Sequence, residues 1–310
     1  MSTTNEGETA TAAYIEHAPM TDGHALATAV SVVIPAYNEG AHVAEGIRQV
    51  REVLGATGWE FEIIVVDDGS EDQTADAAAT TGVRVIRHPR NRGYGASLKR
   101  GIAAARFDWI LITDADGTYP AESIPALLER AHENDMVVGS RTGERVAIPF
   151  ERRPAKWFLR KLASYLAGRN LPDLNSGLRL MRRDLVERYA HLLPPGFSFT
   201  TTITLASACN EHLIEYVPIN YLARLGKSKI RPRHAYDFTL LILRTIVFFN
   251  PLKVFIPLGG LLFLGGLAKF IYDVTLGNLS ESAIFLLLAA LIVWCVGLLA
   301  DQNAKIAARG

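Results

Sequence analysis

The sequence predicts an α/β protein built on a mainly parallel sheet, followed by a surface helix and two transmembrane helices. Short apolar, β-rich runs alternate with helix-like segments between residues 31 and 139. Acidic and polar clusters fall just after several of those runs, where open parallel sheets bind ligands. Two long apolar stretches close the chain.

Residues 1–30 hold four acids (Glu6, Glu8, Glu16, Asp22), no Lys or Arg and no signal-type apolar block, and read as a loose tail. The β-rich runs then follow as Ser31–Pro35, Glu62–Asp67, Val83–Arg87, Trp109–Thr113 and Met136–Gly139. Helix-like segments lie near 39–54, 72–81, 95–106 and 121–132. Strands this apolar, separated by helices, suit a parallel sheet covered on both faces. The α/β domain is expected over 31–232.

Residues 233–250 predict a juxtamembrane amphipathic helix, with Ala235–Asn250 too short to span and ended by Pro251. Residues 251–310 predict a hairpin with a short tail. Its first span is Val254–Leu276, interrupted only by Lys269 and Asp273, and its second is Ala283–Ala300, without charge. Both approach the roughly 20 residues a bilayer requires. Seven bases (Arg224, Lys227, Lys229, Arg231, Arg233, Arg244, Lys253) precede the first span, Lys305 and Arg309 follow the second, and the link has none. The positive-inside rule then places the large domain and the C-terminus on the cytoplasmic side of a multi-pass cell-membrane protein.

The chain has 310 residues with 32 bases and 32 acids, a formal net charge of zero that disfavours a nucleic-acid binder. The total sums unlike regions, acids at strand ends and in the tail, bases beside the spans. The mean hydropathy of +0.15 comes largely from the spans. Cys209 and Cys295 lie too far apart for a metal motif or disulfide framework and read as apolar fillers. The histidines show no ligand spacing.

The first strand ends in Pro35-Ala36-Tyr37-Asn38-Glu39, the second in Asp67-Asp68-Gly69-Ser70, the fourth in Asp114-Ala115-Asp116-Gly117. Each alone is turn or cap chemistry. Together they bring acids to one edge of the sheet, where Asp114 and Asp116 can hold a hard divalent cation with diphosphate oxygens completing its shell. A Rossmann reading of Gly93-Tyr94-Gly95 fails, because the loop follows the third strand and Leu98 stands at the last glycine position.

The series PAYNE, VVDDGSEDQT, NRGYGASLKRGI and DADGTYP resembles the family 2 glycosyltransferases of GT-A fold. With NSGLRLMRRD, ARLGKSKIRP and the two spans, the chain is similar to polyprenyl-phosphate hexose synthases, the dolichol-phosphate mannose synthase and undecaprenyl-phosphate glucosyltransferase type. The resemblance implies that Pro35, Tyr37 and Glu39 line base and ribose, that Asp67 and Asp68 hold base or ribose, and that Gly93 and Lys99 lie near the nucleotide. It implies that Asp114 and Asp116 bind metal, Mg²⁺ or Mn²⁺, and diphosphate. Mannose synthases usually carry Leu-Gln after this motif; here Gly117-Thr118 stands there. Asp173, Asn175, Ser176 and Gly177 match a loop beside the donor sugar, or form a turn and cap.

Hydroxyl-using relatives place an acidic base at a helix start, which corresponds here to Phe197–Thr202 and lacks an acid; Glu211 is the nearest. A phosphate acceptor arrives ionised and needs no base. Cations for it are Arg141, Arg152, Arg153, Arg224 and Lys229, with Ser228 beside them in Arg224-Leu225-Gly226-Lys227-Ser228-Lys229, which resembles the Arg-x-x-Gly-x-Ser-Lys pattern of such synthases one residue shorter. Arg233, Arg244 and Lys253 suit anionic headgroups. The expected reaction is inverting hexose transfer from a UDP- or GDP-sugar to undecaprenyl or dolichyl phosphate. The rivals are a polysaccharide-chain synthase, which lacks support in the absence of a QxxRW motif, and a non-catalytic nucleotide-sugar binder. The hairpin also offers a surface for homo-oligomers.

Overall fold

The computed structural model describes residues 28–142, 153–221, 233–277 and 280–307. Among the described residues the strands are β1 (Ala29–Ala36), β2 (Glu60–Asp67), β3 (Arg84–Arg87), β4 (Trp109–Ile112), β5 (Met136–Ser140), β6 (Arg179–Arg182) and β7 (Ile214–Pro218). They form one sheet in the order β3-β2-β1-β4-β6-β5-β7. All pairings are parallel except those of β6, which runs antiparallel to β4 and β5. The mainly parallel α/β sheet is as expected, and the five expected strands differ from those observed only at their ends. Strands β6 and β7 were not expected.

Strand residues alternate between two cores. Val33, Ile64, Val66, Ile110 and Ile112 face one side with α3 (Tyr94–Ala104), α5 (Arg153–Ala167) and α7 (Phe199–Cys209). Val32, Ile34, Val65 and Leu111 face the other with α1 (Val43–Gly55) and α4 (Ile124–Leu128). The two-residue period of an extended chain buried on both faces gives this division. Two short helices complete the domain, α2 (Thr74–Ala79) and α6 (Arg183–Arg188). The single helix expected over 121–132 is instead α4 flanked by two 3₁₀ turns, with Pro120 before the segment and Pro125 in the first turn of α4.

The helix expected on the membrane surface is α8 (Arg233–Phe249). Its Ile242 and Ile246 are buried in the core beside α7, so one face docks on the domain. Pro251 then opens α9 (Leu252–Thr275), which pairs with α10 (Glu281–Ala307). Both are long and apolar enough to cross a membrane, and their outer faces expose Leu261, Leu264, Phe285 and Leu299. The Trp294 indole donates to the Ile256 carbonyl (3.2 Å). Lys269 and Asp273, which interrupt the first apolar run, pair with each other, and Asp273 also accepts the Ser280 backbone N–H at 3.1 Å. The two charges therefore close the hairpin turn.

Candidate active site

The loops after β1 and β2 are laced together. Asn38, held at φ 56°, donates its N–H to Ser70 Oγ (2.9 Å), Glu39 N–H goes to Thr74 Oγ1 (2.9 Å) and Gly40 N–H to Asp72 Oδ2 (3.0 Å). Ser70, Asp72 and Thr74 thus fix the backbone of the first loop. Pro35 is buried at its root, and Tyr37 and Glu39 are half-buried within it.

Asp67 and Asp68 also hold backbone. Asp67 is wholly buried, accepts Ser70 N–H (3.0 Å) and lies 3.1 Å from Arg87 Nε. Asp68 accepts Arg92 N–H (2.9 Å) and Gly93 N–H (2.8 Å), with His88 Nδ1 2.8 Å away. These contacts curl the loop after β3 back toward the sheet. Gly93, at φ +100°, cannot be replaced without strain, since a β-carbon would lie 2.6 Å from the Pro195 carbonyl oxygen. The result is an open groove of about 600 Å³ lined by Tyr37, Ser70, Arg87, His88 and Arg90.

Asp114 and Asp116 leave β4 half-buried at the next strand end. Tyr94 donates its hydroxyl to Asp114 Oδ1 (3.0 Å). Burial, then the Asp114 charge, holds the Tyr94 phenol well above its usual range, so it stays a donor. Thr118 gives both its N–H (3.1 Å) and its hydroxyl (2.7 Å) to Asp116 Oδ1. Thr118 therefore orients the second carboxylate. Among the described residues no third His, Cys, Asp or Glu joins these two acids. Two carboxylates of this kind fit a hard cation whose other positions go to phosphate oxygens or water.

The loop 173–177 closes the other side. Gly177 packs on Asp114 and donates its N–H to the Tyr119 hydroxyl (2.6 Å). Tyr119 meets Tyr221 edge-on at 5.2 Å, and the Arg141 guanidinium lies 5.3 Å from the centre of that second ring. Arg141 donates Nε and Nη2 to Asp173, each at 2.8 Å, so much of the cation expected for an acceptor is committed to this loop. Ser176 is wholly buried and bonds the Gly139 carbonyl. Asn175 accepts the Thr201 hydroxyl from the first turn of α7. That turn carries buried threonines and no acid, and Glu211 lies beyond the far end of the helix.

The fold therefore gathers Pro35, Tyr37, Glu39, Asp67, Asp68, Gly93, Asp114, Asp116, Asn175, Ser176 and Gly177 along one edge of the sheet. Lys99 is placed elsewhere, its Nζ donating to the Ala190 carbonyl (3.0 Å). Arg152, Arg224, Ser228 and Lys229 lie outside the described residues, as does the side chain of Arg153, which opens α5. Sequence reasoning missed Tyr119, Tyr221 and Arg179. An arginine inside the apolar run from Leu178 to Met181 was the available signal for the last.

A mainly parallel seven-stranded sheet with acids at its strand ends is GT-A-like in fold. The chain belongs to glycosyl transferase family 2, which matches residues 31–190. Residues 250–306 match the GtrB C-terminal hairpin. Among solved structures, the chain is similar to glucosyl-3-phosphoglycerate synthase from Mycobacterium tuberculosis in complex with Mn²⁺, UDP and phosphoglyceric acid. Identity is 22%, over 70% of this chain and 78% of that one, with a TM-score of 0.57. The phosphoglyceric acid complex of that enzyme gives 24% identity, 70% and 80% coverage and a TM-score of 0.54. A further mycobacterial protein gives 21%, 71% and 72%, and 0.53. The likeness concerns the fold.

Proposed function

We propose that this enzyme transfers a hexose, with inversion, from a UDP- or GDP-sugar to a polyprenyl phosphate at the cytoplasmic membrane face. The observation that carries the reading is the first turn of α7, where buried Thr200, Thr201 and Thr202 stand in place of a carboxylate base. A phosphate oxygen needs no deprotonation: it bonds to C1 as the C1–O bond to the diphosphate breaks and UDP or GDP leaves. The GtrB-type hairpin supports a lipid-borne acceptor. So does α5, whose exposed Trp157, Phe158, Lys161 and Tyr165 match the composition of a membrane–water boundary.

The groove at Tyr37 and His88 takes the nucleoside, with Asp68 contributing carboxylate acceptors already held in place by the backbone. Asp114 and Asp116 would hold Mg²⁺ or Mn²⁺, which supplies charge neutralisation and Lewis acidity at the leaving diphosphate. The Mn²⁺ and UDP bound by the similar M. tuberculosis enzyme support a divalent cation in general terms. Gly177 and Asn175 border the sugar. Arg224, Ser228 and Lys229, with Arg152 and Arg153, receive the acceptor phosphate, and Arg141 acts by fixing Asp173.

The test supplies full-length enzyme in membranes with undecaprenyl or dolichyl phosphate and a panel of labelled nucleotide sugars. A labelled lipid that forms with wild type, and is lost with Asp116→Ala or with chelator, is expected. Transfer only to sugar hydroxyls, or full activity of Asp116→Ala, overturns the reading.

A further inference from the structure

Arg179 stands in β6 between Leu178 and Leu180, and is wholly buried. Its Nε and Nη2 donate to the Ser176 carbonyl (3.0 and 2.8 Å), and Nη2 reaches the Leu174 carbonyl at 3.4 Å. Its Nη1 donates to the Thr200 carbonyl (3.2 Å) and to Thr204 Oγ1 (2.9 Å). Every one of these acceptors is neutral. Burial accordingly pulls its pKa below the usual arginine range.

A buried charge without a carboxylate is costly, and an apolar side chain would fill the same space at less expense in stability. The arrangement therefore calls for a reason other than packing, and its partners supply one. The oxygen acceptors fall in two segments, the loop that carries Asn175 and Gly177 and the first two turns of α7; the remaining contact, Nη1 to Met136 Sδ at 3.7 Å, goes to the neighbouring strand β5. The planar fork reaches both at once, which a lysine ammonium on its flexible stem would not.

We propose that Arg179 is a positioning residue for transfer, clamping the 174–177 loop to the start of α7 and so fixing the spacing between the donor-sugar side and the acceptor side. This rests on the donor reading of that loop. None of its hydrogen bonds goes to the residues that line the nucleoside groove, so nucleotide binding and turnover should separate.

The test compares full-length wild type with Arg179→Lys, Arg179→Met and Thr204→Val. Hydrogen exchange at the amides of 174–177 and 199–204 reads the clamp without any substrate. Titration with UDP and with GDP, each with Mn²⁺, reads the nucleotide end, and transfer to undecaprenyl phosphate reads turnover. Expected are faster exchange in both segments together, nucleotide Kd within about twofold of wild type, and kcat lowered roughly 30- to 100-fold for both Arg179 variants. Thr204→Val, which keeps the charge and loses one partner, should lose about three- to tenfold. Unchanged exchange in Arg179→Lys, wild-type kcat in that variant, nucleotide affinity falling in step with turnover, or all three variants unfolded at the assay temperature overturns the proposal. A wild type that neither binds nucleotide nor transfers sugar strikes instead the functional reading, while the exchange result still judges the clamp.

Discussion

Gly177 lies so close to Asp114 that a β-carbon on it would stand 2.8 Å from both carboxylate oxygens. The backbone of one loop thus forms the wall against which the carboxylate proposed to hold the metal rests. Gly177→Ala should push that carboxylate aside while leaving the fold intact. The expected result is a kcat about 100-fold lower, as for roughly ångström-scale misplacement in other sites, with a thermal midpoint close to wild type. Steady-state kinetics and a melting curve on the same sample check it; an unaltered kcat would show that Asp114 has room to spare.

The Arg141–Asp173 pair makes a prediction about stability and its pH dependence. Burial alone would raise the Asp173 pKa, but the hydrogen bonds and charge of the Arg141 fork hold it below the usual carboxylate range. A lowered folded pKa gives stability that is present above the unfolded value, about 3.9, and lost as pH falls through the folded value. Arg141→Met, which strands a buried carboxylate, should cost about 3–5 kcal/mol at pH 7. The deficit should shrink as pH falls toward the unfolded value near 3.9, because the stranded, buried Asp173 of the variant takes up a proton while the wild-type carboxylate beside Arg141 stays ionised. Denaturant unfolding at pH 7 and at pH 3.5 measures the difference.

How far the sequence foretold these features depends on which forces act locally. The runs Ser31–Pro35 and Glu62–Asp67 were legible because both faces of those strands are buried, and the carboxylates beyond them because turns follow strands. Strand β6 was hidden by its own chemistry, since Arg179 and Arg182 at the two ends of a four-residue strand imitate a surface segment. Nor could spacing reveal that Asp68 grips the loop at Arg92 and Gly93, or that Arg141 meets Asp173, for these partners lie 24 to 32 residues apart. Lys99 was misdirected by proximity along the chain: one helical turn beyond the glycine loop, its side chain leaves on the Ala190 side of α3. Sequence identified the acids at the sheet edge; tertiary contacts decided which of them bind backbone.

Tyr216 makes a prediction at alkaline pH. Its hydroxyl is buried with no hydrogen-bond partner among the described residues, and burial pushes its pKa up to about 12. A raised folded pKa gives stability that is present below the unfolded value near 10 and lost as pH rises toward the folded one. Between about pH 10 and 12 this group should therefore withdraw some 2–3 kcal/mol. Tyr216→Phe should melt within a degree or two of wild type, or slightly above it, at pH 7.5, because an unsatisfied buried hydroxyl is removed. Its melting temperature should then fall less steeply than that of wild type above pH 10. Parallel slopes in the two proteins would exclude the assigned role.

Thr118 offers the sharpest probe of the carboxylate pair. Its backbone N–H and hydroxyl both bind Asp116 Oδ1, so the carboxylate plane is fixed by a side chain that is itself 1% exposed. If Asp116 holds the metal as proposed, a partner of this kind, which orients a ligand without touching the metal, governs about 10- to 100-fold of metal affinity or activity. Thr118→Val keeps the shape and removes only the hydroxyl, leaving the backbone N–H as the remaining restraint. The Mn²⁺ concentration for half-maximal transfer should therefore rise about tenfold, with the maximal rate largely recovered at saturating metal. Asp116→Ala, by contrast, should stay inactive at any metal concentration, because the ligand itself is gone. A Thr118→Val enzyme with the wild-type metal requirement would mean that the backbone N–H alone orients Asp116; one whose rate no added metal restores would mean that the hydroxyl acts on the transfer step itself.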